Sequence, residues 1–199
     1  MQSSFFGLLS LSALLCLFSP QDEWALRKDE WGVQVYTRSL DWTKHKEYKG
    51  VVYIRSTPEK LLSVVQDVST YPIWMHNTYD AKLLRKSGNE FVTYFVNDAP
   101  WPVSDRDMVT KFVVNRINGQ TMRLDMTAAP KEVPEIGGMV RISFLQGFWL
   151  FEDLGNGTCR VTQQVISDPG GSIPAWLANS AIIDTPFFIL SKLRKHVEG

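Results

Sequence analysis

From residue 33 onward, apolar and polar positions alternate in short runs, the period of strands that bury one face. Residues 33–39 (Val-Gln-Val-Tyr-Thr-Arg-Ser) read this way, and 45–55 follows as a second strand. Thr57-Pro58-Glu59-Lys60 breaks the alternation as a helix entry, with Thr57 as N-cap and Pro58 in the first turn, where a missing N–H needs no partner. Leu61, Leu62, Val64, Val65 and Val68 supply that helix with an apolar side, and Tyr71-Pro72 is expected to end it. Period two then returns over 81–85, 90–97, 108–116, 121–127, 139–144, 147–152 and 158–167. The breaks carry turn chemistry: Ser87-Gly88-Asn89, Asn118-Gly119 and Asn156-Gly157.

The two ends read as helical. Residues 22–30 are expected to form a short helix anchored by Trp24. At the other end Asp168-Pro169-Gly170-Gly171 turns the chain, and Ser172-Ile173-Pro174 opens a long helix with Ser172 as its cap. Trp176, Ile183, Phe187, Leu190 and Val197 recur along it at steps of three, four or seven. Pro186 removes one backbone hydrogen bond inside this helix, so Asp184-Thr185-Pro186 either kinks it or caps a second segment that swings as a hinge. Strands followed by one long apolar helix predict an α+β domain, with a curved antiparallel sheet wrapped around the C-terminal helix.

Composition narrows the function. The chain has 199 residues, enough for one domain with a sizeable core. Lys plus Arg and Asp plus Glu both number 21, so the basic excess that a nucleic-acid binder needs is missing. Seven Trp, eleven Phe and six Tyr suit a full core or an aromatic-lined cavity. Residues 5–18 are apolar except for Gly7, Ser10 and Ser12, no charge appears before Asp22, and the stretch has the length of a secretory h-region and less than a membrane span. They carry no Lys or Arg, and Leu17-Phe18-Ser19 is a poor cleavage site, so a signal peptide and a retained hydrophobic anchor both stay open. The expectation is an exported, periplasmic or membrane-tethered domain over 21–199, cytoplasmic only if the leader does not function. Without the leader only Cys159 remains, which makes neither an internal disulfide nor a metal site.

Two motifs join this element order. Ala99-Pro100-Trp101-Pro102-Val103-Ser104-Asp105-Arg106-Asp107 precedes a central strand, and Asp168 to Leu177 precedes the last helix. Together with Trp74 they resemble the START lipid-binding domain in its bacterial form, across about residues 22–198. The resemblance implies a helix-grip fold with an internal tunnel for one hydrophobic molecule such as a sterol, phospholipid or ceramide. It implies no catalysis and no cofactor. The partners it implies are a lipid ligand and, transiently or through a tether, a membrane surface. Phosphatidylcholine-carrying relatives keep an Arg where this chain has Tyr71. Cholesterol-carrying relatives keep an acidic and a basic residue where it has Thr93 and Phe112. Neither specificity carries over.

The ligand-binding candidates follow from face parity and from this resemblance. Lys111 marks one face of its strand as solvent-facing, so Met108, Thr110, Phe112 and Val114 should face inward. Resemblance favours Thr93 and Phe95 as lining a tunnel, with Trp149 and the helix residues Ile183, Phe187 and Leu190. Arg106 and Arg141, each matching a family arginine, are either polar anchors for a headgroup or structural: an ion pair for Arg106, a surface position for Arg141. The 128–138 segment is expected at the tunnel mouth, gating it with the C-terminal helix and offering Val133 and Ile136 to a membrane. A polyketide-cyclase-like enzyme in the same cavity is the alternative, with His76, Asp80 and Asp98 as its only loose group of ionisable side chains.

Overall fold

The alternating segments pair into one ten-stranded sheet, seen in a computed structural model that describes residues 23–199. The apolar leader lies outside the described residues. In chain order the elements are β1 (Ala25–Glu30), β2 (Val33–Leu40), β3 (Thr43–Arg55), α1 (Pro58–Gln66), a single 3-10 turn (Val68–Thr70), α2 (Tyr71–Trp74), β4 (Thr78–Ser87), β5 (Glu90–Asn97), β6 (Arg106–Arg116), β7 (Thr121–Ala128), β8 (Val140–Arg141), β9 (Phe144–Asp153), β10 (Thr158–Asp168) and α3 (Ala175–Glu198). The strands lie in the order β1-β2-β3-β10-β9-β7-β6-β5-β4, antiparallel throughout, with β8 beside the start of β6 as a short parallel addition. This is the expected helix-grip architecture: α3 lies on the concave face, against β1, β2 and β3.

Parity fixes the two faces. Phe91, Thr93 and Phe95 of β5 stand opposite Phe112, Thr110 and Met108 of β6 and share the concave face, while Val92, Tyr94 and Val96 point outward. On α3, the buried positions among the described residues are Pro186, Phe187, Ile189, Leu190 and Leu193. Leu190 Cδ1 lies 2.5 Å from where a Cβ would stand on Gly50, so only glycine lets α3 close this tightly on β3. Gly170 and Gly171, with φ of 64° and 60°, turn the chain from β10 into α3.

Several boundaries differ from the sequence expectation. Residues 22–30 do not form a helix: Trp31-Gly32 reverses the chain, and β1 pairs with β2 as an edge strand whose charged run Arg27-Lys28-Asp29-Glu30 suits an edge. Trp24 instead packs between Arg38 and Lys49, each 4.5 Å from its ring. Thr57 caps α1 as expected, its Oγ1 accepting from Lys60 N at 3.3 Å, but Tyr71-Pro72 opens α2 rather than ending α1. Of 139–144 only Val140–Arg141 is a separate strand, and β9 runs unbroken through Gly147. Pro174, not Ser172, stands at the N-cap of α3, which continues through Pro186 as one helix.

The 128–138 segment is the largest correction. Ala129, Val133 and Met139 pack on Val92, Tyr94, Val96 and Val109, on the convex face, away from α3. Arg141 holds the segment there through the carbonyls of Pro130, Val133 and Pro134. Only Ala128, at the end of β7, packs against the interior core, and no residue of the segment lines the interior cavity described below.

Candidate ligand-binding interior

Among the described residues, a small cavity of about 30 Å³ lies in the interior between the concave face and the helices. α1 contributes Val65 to its wall, and α2 with the residue after it contributes Tyr71, Trp74 and Met75. Strands β5 and β6 give Phe95, Thr110 and Phe112; β7, β9 and β10 give Met126, Leu145, Trp149 and Gln163. Aromatic contacts knit the wall. Tyr71 meets Trp74 at 5.2 Å and Phe95 at 6.0 Å, both edge to face, and Trp74 meets Trp149 at 6.2 Å. Phe112 stacks on Phe91 at 4.7 Å.

A void of this size holds about one water, whereas pockets for drug-sized ligands take about 300–1,000 Å³. The expected preformed tunnel is therefore closed. The closure comes from aromatic rings of α2 and the sheet meeting across the space.

The ten candidate residues divide into four groups, of which the two arginines are the last. Phe95, Phe112 and Trp149 line the cavity. Thr93 is buried directly across from Thr110, and Val114 sits half-buried on the same face two positions past Phe112. Ile183, Phe187 and Leu190 lie on α3 over β2 and β3, in the core to one side of the cavity. Sequence reasoning missed the wall from α1 and α2. It also passed over Gln163, although Gln163 shares its face of β10 with the buried Val161 and Val165.

The two arginines are held by protein groups. Arg141 is 8 % exposed, and all five of its N–H donors are engaged. Nε and one Nη donate to the Asp107 carboxylate at 2.9 and 2.7 Å, and the remaining three bonds reach the carbonyls of Pro130, Val133 and Pro134 at 2.7–3.0 Å. The hydrogen bond to Asp107 raises its already high pKa. Arg106 is equally buried, and it donates to the carbonyls of Ser104, Pro169 and Gly170 rather than to a carboxylate. Burial lowers its pKa. Its bonds tie the loop between β5 and β6 to the turn before α3. Neither arginine lines the cavity, and of the two roles left open for each these contacts support a structural one: for Arg106 through carbonyls in place of an ion pair, for Arg141 as a buried pair in place of a surface position.

An exposed tryptophan lies within one of the tied segments and another just beyond the other. Trp101, in the β5–β6 loop, is 91 % exposed, and Trp176, in the first turn of α3, is 67 % exposed. His76, at the end of the α2 segment, stacks on Phe188 of α3 at 4.8 Å. Burial, and secondarily Lys192, lowers its pKa, partly offset by Asp184.

The START domain family model matches residues 17–199. An uncharacterized protein of Pseudomonas aeruginosa, PA1579, is 38% identical over 177 residues, covering 89% of this chain and 88% of that one. The crystal structure of a StAR-related lipid transfer protein fragment from Xanthomonas axonopodis superposes with a TM-score of 0.84 at 34% identity, over 89% of this chain and 100% of that chain. The phosphatidylcholine transfer protein of Rattus norvegicus is 27% identical over 165 residues, 80% of this chain and 76% of its own. An aromatase/cyclase, Zhui from Streptomyces, has a TM-score of 0.56 at 11% identity over 77% of this chain and 94% of that chain, a likeness of fold alone.

Proposed function

Because the chain belongs to the START domain family, we propose that it binds one hydrophobic lipid between the sheet and its helices and transfers it between membranes without catalysis. The observation that carries this reading is the unequal seating of α3. From Trp176 to Thr185 no residue is fully buried, whereas Phe187, Ile189, Leu190 and Leu193 are. The second half is also clasped from outside. Lys28 Nζ lies 4.0 Å from the Phe187 ring and Arg194 donates to Trp31 O at 2.6 Å, while Lys28 also meets Asp184, at the end of the first half, at 3.8 Å. An element anchored at one end and loosely seated at the other can lift to admit a ligand while the core stays packed.

Trp101 and Trp176 fit the membrane-facing end of such a carrier. Tryptophan prefers the headgroup level of a bilayer, and Arg106 links the loop that carries Trp101 to the turn ahead of Trp176. Buried apolar lipid surface contributes about 25 cal/mol per Å². A cyclase-like reaction would need an acid or base on the cavity wall; the wall described above carries no carboxylate or imidazole, and His76 packs against α3 instead.

The test is transfer of a fluorescent lipid from donor to acceptor vesicles by the full chain. Saturable, protein-dependent transfer is expected. Trp101→Ala combined with Trp176→Ala should lower vesicle binding about tenfold or more while leaving the unfolding midpoint in place, because both rings are solvent-exposed. A full chain that neither takes up nor moves lipid would sink the reading.

A further inference from the structure

Three polar side chains in the interior have a buried oxygen with no partner. Thr93 Oγ1, Thr110 Oγ1 and Gln163 Oε1 accept and donate nothing, although all three residues are at most 3 % exposed. Of the six such buried atoms among the described residues, His76 Nδ1, Tyr94 Oη and Asn97 Oδ1 lie away from the cavity wall, whereas these three lie together: Thr110 and Gln163 both line the cavity, and Thr93 stands directly across the strand pair from Thr110. Buried polar atoms are ordinarily paired, and an unpaired one is costly to bury. Here, three share one region in an otherwise apolar wall.

The other polar groups at the wall are already used. Tyr71 donates its hydroxyl to Val65 O at 2.8 Å, and Trp74 Nε1 donates to Thr70 Oγ1 at 3.0 Å. No charged side chain lines the cavity among the described residues. The two buried arginines are spent on Asp107 and on loop carbonyls. The interior therefore offers neutral hydrogen-bonding groups and no cation.

Resting on the reading above that the interior holds a lipid, we propose that Thr93, Thr110 and Gln163 form the polar subsite, and that its ligand is a neutral lipid bearing a free hydroxyl. A hydroxyl both donates and accepts, so it satisfies the amide oxygen of Gln163 and the threonine hydroxyls together. A phosphodiester would enter with a full negative charge and meet no buried cation, which low-dielectric surroundings penalise heavily. The selectivity thus runs against phosphatidylcholine, the lipid named in the rat relative above.

The test uses the full, affinity-tagged chain and vesicles of dioleoylphosphatidylcholine containing dioleoylglycerol as a minor component. The two lipids share their acyl chains and differ at the headgroup. After re-isolation, bound lipids are quantified by mass spectrometry and their ratio is compared with that of the vesicles. Dioleoylglycerol should be enriched by about tenfold or more, and Thr110→Val and Gln163→Leu should each reduce that enrichment by about tenfold. Both variants remove an orphaned polar atom, so their melting temperatures should hold or rise, which separates lost recognition from lost folding. Phosphatidylcholine bound with no enrichment of dioleoylglycerol would overturn the neutral class and leave lipid binding standing. Unchanged enrichment in both variants would mean that the three oxygens are merely hydrated, and would overturn the subsite. Binding of neither lipid would remove this proposal and the carrier reading together.

Discussion

Arg141 shows how one residue decides where a whole segment lies. It pairs with Asp107 across 34 positions of chain and, through three carbonyls, folds 130–134 onto the convex face. Replacing one member of a buried pair leaves the other uncompensated, so Arg141→Met should cost about 3–5 kcal/mol in urea denaturation. Adding Asp107→Leu to that variant should recover much of the loss, since an apolar pair of similar volume no longer buries a lone charge. A double variant as unstable as the single one would refute that account. His76 gives a second residue-scale test, in pH. Its folded-state pKa lies below the ordinary 6.5, mainly because burial against α3 disfavours the charged form. The unfolded chain then binds the proton more readily than the folded one. The stability associated with neutral His76 is thus present in full above about pH 6.5 and is lost as pH falls through the depressed folded value. Thermal melts from about pH 8 down to about pH 5 should show this decline in the native chain and a shallower one in His76→Gln. Parallel profiles would mean that His76 does not sense pH through this contact.

Among the elements, α3 carries the sharpest expectation. Amide exchange followed by mass spectrometry should find residues 176–185 exchanging well ahead of 187–197, because the second half has the buried anchors, the Phe187 ring against Lys28 and Trp31, and the bond from Arg194 to Trp31, whereas the first half is tied to Lys28 at its end, through Asp184. Uniform protection along the helix would remove the loosely seated first half on which ligand entry depends. How much of this was legible from sequence follows the range of the interactions. The inward turn of Phe112 followed from Lys111 alone, since period two is a property of any strand. The same parity also put Thr110 inward, and applied to β10 it would have found Gln163. β1 was hidden because a charged edge strand lacks apolar alternation; the signal was the Trp31-Gly32 reversal after it. Reading Tyr71-Pro72 as a stop concealed α2, and with it the aromatic half of the cavity wall. The place of 128–138 was not legible locally at all, because it depends on the pairing of Arg141 with a residue two strands earlier. Nor could a sequence reveal that the interior is closed, since that depends on how the rings of Tyr71, Trp74, Phe95 and Trp149 meet.

For the molecule as a whole, the governing fact is the mismatch between a cavity of about 30 Å³ and any lipid. On the carrier reading proposed above, a ligand enters as α2 and the first half of α3 move off the sheet, without loss of the core around Leu190, Leu193, Val52 and Ile54. Opening should therefore expose only a fraction of the surface that global unfolding exposes. The denaturant dependence of a rate reports that surface, because m scales with the area newly exposed. Lipid release from the loaded full chain to excess acceptor vesicles should accelerate with low urea concentrations, with a slope well below the equilibrium m of unfolding. A slope equal to the global m would mean that the protein must unfold to let its ligand go, and the partial-opening mechanism would fail. A slope of zero would mean that release exposes no new surface, which a closed interior does not permit. The intermediate value also explains how a carrier can hold its cargo and still release it. In the proposed mechanism the anchored half of α3 would preserve the fold through each opening, and the other half would set how often the interior opens.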